Sequence, residues 1–372
     1  MLHFVIGTKA QFIKMAPLMW LLQKEGRPYH LVDLSQHGAL TGSTLDDFAL
    51  TPLITRFGDE TTLIKTYAGA AKWSLGVLAQ AARPAAQVRR RWFRDSAGIA
   101  LVHGDTASTL LGTLLARRAG MPVALVEAGL TSGNLLNPFP EEAIRRLVQR
   151  MAAHCFCPGA KETAHLHSIA LRAQIHDTGY NTGHDALFLA LQQPVRAPAT
   201  GDYSVATLHR LETLANGHSL RRAIAHIQAL ATRLGPVRFY LHPPTRNALL
   251  REHLLDALQA TPGISLHELL PYVDFAQVLA NARCIVTDGG SVQEEAASLG
   301  KRCLVLRAVT ERDAGIGNTA RLTGWNVEED AAFLCATATA GTGVRDHRYA
   351  ASRCVLDALL KDQQDRLENR PA

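Results

Sequence analysis

The sequence predicts an α/β protein of two doubly wound, parallel-sheet domains in tandem. Short apolar runs of strand length alternate with stretches of helical periodicity, the pattern of βαβ units. The series occurs twice, interrupted once by a glycine-containing crossover and a Pro/Ala-rich loop. Acidic, basic and glycine residues stand repeatedly where an apolar run ends, and in parallel sheets ligands bind outside those carboxyl ends of the strands. A length of 372 residues accommodates about two such domains.

In the first half, strand-like runs occupy Leu2–Ile6, His30–Val32, Ile99–Val102, Val123–Val126 and His154–Cys157, with helix-like segments between them. A helix after Gly7 carries Lys9 and Lys14. An apolar helix over Thr109–Leu115 reads either as buried core or as a surface that pairs two subunits. The crossover is Asp177–Leu187, whose paired glycines, Gly179 and Gly183, suit a change of direction, and a loop from Gln192 to Gly201 follows it. The second series places strands at Tyr203–Thr207, Val237–Leu241, Cys284–Thr287 and Cys303–Leu306, separated by amphipathic stretches such as Leu220–Leu230. A first domain over 1–180 and a second over 181–354 are expected, with a terminal helix over 355–372 that packs back on the first.

Hydrophobic residues make up 47% of the chain and charged residues 19%, ordinary for a globular enzyme with a sizeable core in each half. No apolar stretch has the length of a membrane span, and the first residues read as a strand rather than a basic segment with a cleavage site, so a cytoplasmic location is expected. The six cysteines, at 155, 157, 284, 303, 335 and 354, form neither a Cys-x-x-Cys pair nor zinc-like spacing with histidine. Reduced, mostly buried thiols and no metal are expected. A net charge of +6 invites a nucleic-acid reading, but the charge is spread and no nucleic-acid-binding motif accompanies it. The one dense basic cluster, Arg89–Arg91 and Arg94 with Arg83 upstream, reads as a solvated helix face or as a contact for anionic lipid or an acidic partner.

Three carboxylates mark an acid-lined site at run exits in the first half: Asp105 after Ile99–Gly104, Glu127 after Val123–Val126, and Glu141 in Pro138–Glu142. In the second half, Thr287–Glu295 leads from the Cys284 run into a helical stretch over Gln293–Leu299. There Gly289, Gly290 and Ser291 would bring free backbone amides to a phosphate, a diphosphate being the natural guest, and Glu294 or Glu295 is placed to bond a ribose diol. A plain strand–turn–helix joint is the alternative. Gly7–Lys14 repeats the arrangement, but it lacks the second glycine and the Lys-Ser/Thr pair of a Walker loop and has only one glycine of the dinucleotide fingerprint. His209, followed at once by Arg210, and His242 stand at two strand exits, suited to holding a phosphate or moving a proton.

Taken in order, these segments resemble the non-hydrolysing UDP-N-acetylglucosamine 2-epimerases from Gly7 to Gly324. The resemblance is carried by Gly7 and Thr8 with Ile13–Leu18, His103–Thr106, Val126–Leu130, Pro140–Glu142 with Arg145, His209, Arg210 and Glu212, Thr287 and Asp288 with Gln293–Ala296, and Thr310–Arg312. Locally, Gln11–Lys14, Ala206–Glu212 and His242–Thr245 look closer to the branch acting on UDP-linked diacetamido glucuronic acids. The resemblance implies a GT-B architecture, two Rossmann-like domains with a UDP-sugar in the cleft between them. It also implies a cofactor-free reaction, a homodimer and a product destined for surface polysaccharide. By position, Asp105, Glu127, Glu141 and His209 match the family's catalytic acids and histidine, and Arg145 its supporting arginine. Asp105 and Glu141 are then the expected proton-transfer groups at the sugar C2, with Glu127 orienting or tuning them. Lys9, Lys14, Arg210, His242, Gly289, Gly290 and Ser291 are expected at the UDP, and Glu295 at its ribose.

The departures fall around the nucleotide and sugar. Lys9-Ala10-Gln11 stands where the family usually has Arg-Pro-Glu, Gly289-Gly290-Ser291 where it has Ser-Gly-Gly, and Thr131 where it has arginine. Beyond Arg312 its Pro-Glu pattern becomes Asp313–Ala320. Fold and nucleotide class are therefore better fixed than sugar identity. Gln36 and His37 resemble part of the family's allosteric UDP-sugar site, and Thr131–Pro140 has the Gly and Pro content of a lid. Three rival readings stand beside the main one. A GT-B glycosyltransferase would not need three acids at first-domain strand exits. A hydrolysing 2-epimerase would let water capture the intermediate. An inactive UDP-sugar binder would not need the full set of proton-transfer residues.

Overall fold

The computed structural model describes residues 1–36, 40–58, 67–135, 139–194, 201–310, 312–336 and 349–368. His37, Pro138, Glu311, residues 369–372 and parts of the 131–140 and 192–201 loops lie outside the described residues. The chain divides into two compact units, Met1–Leu189 with His347–Ala372, and Ala190–Asp346.

The first unit runs β1 (Leu2–Ile6), α1 (Lys9–Lys24), β2 (Tyr29–Asp33), α2 (Leu40–Asp47), β3 (Leu53–Arg56), α3 (Tyr67–Ala81) and α4 (Ala85–Phe93). It continues through β4 (Ile99–His103), α5 (Ala107–Arg118), β5 (Val123–Val126), α6 (Glu141–Met151), β6 (His154–Cys157), α7 (Ala160–Ser168), β7 (Gln174–Asp177) and α8 (Thr182–Leu191). The sheet order is β3-β2-β1-β4-β5-β6-β7, and every pairing is parallel. Strand order reverses between β1 and β4, so the loops after those two strands open at the topological switch point, the usual ligand site of such sheets. Every residue of β1, β2, β4, β5 and β6 is buried, which is why these strands read as unbroken apolar runs.

The second unit runs β8 (Ser204–Leu208), α9 (Leu211–Ala215), α10 (Gly217–Leu234), β9 (Val237–Leu241), α11 (Pro243–Arg251), α12 (Leu255–Gln259), β10 (Ile264–Glu268) and α13 (Tyr272–Asn281). It closes with β11 (Cys284–Thr287), α14 (Gly290–Ser298), β12 (Arg302–Val305), β13 (Ala320–Leu322) and α15 (Val327–Cys335). Its sheet order, β10-β9-β8-β11-β12-β13, is again all parallel and places the switch point between β8 and β11. Two apolar cores cover its faces, one around Phe239 and Ile227, the other around Val205, Ile285 and Phe275.

The division falls inside the last turn of α8, so that helix groups almost wholly with the first unit. Its side chains explain why: Ala186, Leu187 and Leu189 are buried, and Asp185 accepts hydrogen bonds from the Ser352 amide (2.8 Å) and hydroxyl (2.6 Å). Ser352 belongs to α16 (Ala350–Glu368), the terminal helix, which groups with the first unit and bonds it again through His154–Asp362 at 3.3 Å and Gln363–Met1 at 3.0 Å. In α5, Thr109, Leu111, Gly112, Thr113 and Leu115 are buried, so the apolar Thr109–Leu115 stretch is core. Helix α4 buries Val88, Trp92 and Phe93 and turns Arg89, Arg90 and Arg91 to solvent, the amphipathic arrangement of a solvated basic face. Among the described residues, no helix is long and apolar enough to cross a membrane. Four of the six cysteines are buried and all are unpaired; Cys335 is exposed.

Candidate active site

At the first switch point, β1 ends in Gly7 and Thr8, and Thr8 caps α1. Its hydroxyl accepts from the Gln11 amide while the Gln11 side chain accepts from Thr8, a reciprocal capping box. Gln11 is buried and does more than cap. Its Oε1 accepts from the Gly7 amide (2.9 Å) and the Ser108 hydroxyl (3.0 Å), and its Nε2 donates to the His103 carbonyl (2.8 Å) and to Thr106 and Thr109. A side chain on Gly7 would put its Cβ 2.3 Å from that of Ser108, so the close approach of the β1 and β4 loops requires glycine there.

One turn along α1, Lys14 donates to both carboxylate oxygens of Glu127 at 2.9 Å. Glu127 follows β5 with φ +63°, in the left-handed region that costs energy for a residue with a Cβ. Asn181 donates to its Oε1 at 2.7 Å, and His103 Nε2 stands 3.3 Å from its Oε2. Asp105, in the turn after β4, pairs with Arg145 of α6 at 2.5 Å. Arg145 also reaches Glu142 at 3.3 Å. Glu142 is wholly buried and accepts from the Thr131 hydroxyl (2.7 Å), the Ser132 amide (3.1 Å) and Arg146 (3.0 Å). Burial alone would raise its pKa, but these hydrogen bonds outweigh burial and hold its carboxyl below the usual range. Glu141, the first residue of α6, has a buried Oε2 with no hydrogen-bond partner among the described residues.

At the second switch point, His209 and Arg210 follow β8, and Asp288 and Gly289 follow β11. Asp288 is wholly buried, and its two oxygens accept the backbone amides of His209 (2.9 Å) and Arg210 (3.2 Å), locking one loop to the other. His209 Nδ1 lies 3.8 Å from Asp288, and its ring stands 4.9 Å from that of His242. Burial lowers the His209 pKa against the pull of Asp288, and Arg210 lowers it further, which favours the neutral ring. Gly289 precedes α14, and a Cβ there would stand 2.1 Å from His209 Cε1, so glycine is what admits the ring.

The expected site residues fall at these two strand-end clusters, with some changes of partner. Lys14, expected at the nucleotide, is engaged by Glu127. Lys9 begins α1, and burial lowers its pKa while Asp47 opposes the shift. The Arg210 guanidinium bonds Glu212 at 3.2 Å. Gly290 and Ser291 form the first turn of α14, and Glu295 accepts from the Tyr272 hydroxyl at 3.0 Å. Glu294 pairs with Arg312 at 3.0 Å. Gln293, wholly buried, donates to the carbonyls of Arg312 and Ala314 and accepts from Thr310, holding the segment after β12 against α14. The residues that sequence reasoning did not place in the site are Gln11, His103, Glu142, Asn181, Asp288 and Gln293. All but Asn181 lie in motifs that carry the family resemblance or directly beside them, which is the signal that could have found them. Among the described residues, no group of three or more His, Cys, Asp and Glu side chains is placed to hold a metal ion.

Residues 71–339 match the family model of UDP-N-acetylglucosamine 2-epimerase. The UDP-N-acetylglucosamine 2-epimerase of Bacillus subtilis is 32% identical over 333 residues, covering 87% of this chain and 83% of the relative. Among solved structures, the UDP-GlcNAc 2-epimerase of Methanocaldococcus jannaschii in complex with UDP-GlcNAc and UDP is similar with a TM-score of 0.80 at 25% identity, over 97% of this chain and 99% of that one. The enzyme of Neisseria meningitidis bound to UDP-GlcNAc gives a TM-score of 0.77 at 26% identity, with coverage of 97% and 99%. Both Rossmann-like α/β domains expected of a GT-B-like fold are present. The chain belongs to the UDP-N-acetylglucosamine 2-epimerase family.

Proposed function

We propose that the protein inverts C2 of a UDP-2-acetamido sugar of the UDP-N-acetylglucosamine type, without a cofactor, by eliminating and re-adding UDP. The observation that carries this reading is the set of three carboxylates at the exits of β4 and β5 and the start of α6, which stand in three different settings. Glu127 is held by a lysine and an asparagine, Asp105 by one arginine, and Glu141 keeps a buried oxygen with no bond among the described residues.

The C2 proton is weakly acidic, so its removal is coupled to loss of UDP from C1. A base takes the proton, the C–H pair becomes the C1=C2 double bond of a glycal, and the C1–O pair leaves with UDP. Protonation of C2 from the opposite face and return of a UDP oxygen to C1 complete the inversion, with no net oxidation. Two proton-transfer groups are therefore needed, one on each face. Glu141 and Asp105 fill these roles, with Arg145 supporting Asp105. Glu127, neutralised by Lys14, orients the site rather than exchanging protons. The second unit supplies the anion site. Its Arg210, His209, His242 and the amides of Gly289, Gly290 and Ser291 hold the diphosphate as charge develops, and Glu295 faces the ribose; Lys9 is a further candidate for binding UDP.

The first unit is thus the acid-bearing domain and the second the UDP-binding domain. A non-hydrolysing outcome, a homodimer, a cytoplasmic location and supply of acetamido sugar to surface polysaccharide belong to the same proposal. Combined 1H and 31P NMR of the protein with UDP-N-acetylglucosamine tests it. A new UDP-sugar with the manno configuration supports it, and free UDP with free N-acetylmannosamine moves the protein to the hydrolysing class. Turnover confined to UDP-linked diacetamido uronates reassigns the sugar. Silence with every UDP-acetamido sugar contradicts the reading.

A further inference from the structure

The crossover segment holds a residue that the proposed mechanism does not yet use. Asn181 lies between β7 and α8, and its carboxamide works in two directions. Its Oδ1 accepts from the Gly183 amide at 2.8 Å, an Asx-type cap on the start of α8. Its Nδ2 donates to Glu127 Oε1 at 2.7 Å, the shortest of the hydrogen bonds that carboxylate makes to Lys14 and Asn181. The orientation of the amide is forced, because the Gly183 N–H can only donate and the Glu127 carboxylate can only accept. Gly183 serves the same arrangement. A Cβ there would stand 3.2 Å from Asn181 Oδ1 and 3.4 Å from Lys14 Cε, crowding both groups that hold Glu127. This start of α8 is fixed from its other side as well. Tyr180 donates to Asp185 at 2.9 Å, and Asp185 accepts from Ser352 of α16.

We propose that Asn181 is a positioning residue of the reaction: the helix-capping amide at the start of α8 fixes the rotamer and charge of Glu127, adding a directed donor to the Lys14 ammonium on both oxygens and the His103 ring 3.3 Å from Oε2. The inference rests on the reading of Glu127 as part of the catalytic machinery. A lysine ammonium is a rotationally permissive point charge, whereas a planar amide with one face committed to Gly183 admits one direction for its N–H. An aspartate at 181 would keep the cap, since Asp accepts from a helix-start amide as well as Asn does. It would, however, set a second carboxylate against Glu127 where a donor now stands.

The test compares N181D, N181A and E127Q in kcat, KM for UDP-N-acetylglucosamine, pH profile and Tm. N181D is expected to keep a near-unchanged KM, to lose about tenfold or more in kcat, and to shift the acid limb of kcat upward by about one pH unit through like-charge repulsion, which also lowers Tm at neutral pH. N181A, which loses cap and donor together, is expected to lower both Tm and kcat and to move the acid limb upward by less than N181D does, because it removes a donor without adding a charge. E127Q is expected to lose turnover. N181D with wild-type kcat and an unmoved acid limb, beside an inactive E127Q, overturns the inference alone. Equal kcat losses in N181D and N181A that track Tm, with no limb shift, reduce Asn181 to a structural cap and also overturn it. Wild-type turnover in E127Q instead overturns the site reading on which the inference stands.

Discussion

The two switch points occupy the same place in two similar sheets and are built from opposite chemistry. Between β1 and β4 the loops are tied by side chains: Gln11 bridges them, and Glu127 and Asp105 each face a cation from a helix, Lys14 and Arg145. Between β8 and β11 the loops are tied by one buried carboxylate, Asp288, which takes two backbone amides, and the side chains left around it are His209, His242 and Arg210. The comparison teaches that the fold fixes where a ligand binds, while the first few residues after each strand decide what is done to it. On the proposed mechanism, proton transfer belongs to the first unit and anion binding to the second.

The sharpest way to break that division is to remove one acid. Glu141→Gln and Asp105→Asn are expected to lower kcat by about 10²–10⁴-fold and to leave UDP affinity, measured by calorimetry, nearly unchanged. Loss of UDP binding in either variant would erase the distinction between the units. Next in size is Glu142→Ala. It strips the buried carboxylate that gathers Thr131, Ser132, Arg145 and Arg146, and is expected to cost about 3 kcal/mol in denaturant unfolding because Arg145 and Arg146 lose their shared partner. A cost under about 1 kcal/mol would mark it as an ordinary surface pair.

Acid sensitivity sharpens the comparison further. His3 and His30 sit wholly buried with their Nδ1 atoms 3.0 Å apart in the first sheet. Burial, and then their mutual proximity, pushes His3 down to about 3, while burial, and then Arg94, pushes His30 down to about 4. Groups depressed in the folded state bind protons in the unfolded chain first. Their stabilising contribution is therefore complete above pH 6.5 and is lost as pH falls below it. Each histidine is expected to cost on the order of 2 kcal/mol by about pH 4.5. Thermal unfolding of the wild type across that window should fall more steeply than that of His30→Asn. Parallel curves would place the sensitivity elsewhere.

The smallest effect is expected in the second unit. Gly289→Ala pushes a methyl group into the His209 ring and should weaken UDP binding by about tenfold, with little change in Tm, because a side-chain end is what moves. A change in C2 proton exchange without a change in UDP affinity would reverse the assignment of the two units.

Much of this was legible in the chain, and the part that was not follows a rule. All nine strands read from apolar runs are interior to their sheets. The four that were missed, β3, β7, β10 and β13, are the four edges. An edge strand keeps one flank open: Leu53 of β3, Gln174 and Asp177 of β7, and Ser265 and Glu268 of β10 are exposed, so no unbroken apolar run announces them. The site divides in the same way. Asp105, Glu127, Glu141, His209 and Arg210 stood out because charged residues at the exits of apolar runs are conspicuous. Gln11, Asn181 and Asp288 act through partners as distant in sequence as Glu127 is from Asn181, and no local pattern reveals such a pairing. Lys14 is a further case. Its place after a glycine loop suggests a phosphate, and only the tertiary fold adds its ion pair with Glu127.

The measurement that bears most directly on the division of labour is deuterium incorporation at C2 of UDP-N-acetylglucosamine and its epimer, followed by NMR in D2O for the wild type, D105N and E141Q. The account predicts solvent deuterium at C2 of the wild-type product and epimer formation slowed by about 10²-fold or more in either variant, while both variants still bind UDP. An epimer formed with its original C2 proton, or wild-type turnover in E141Q, would contradict it.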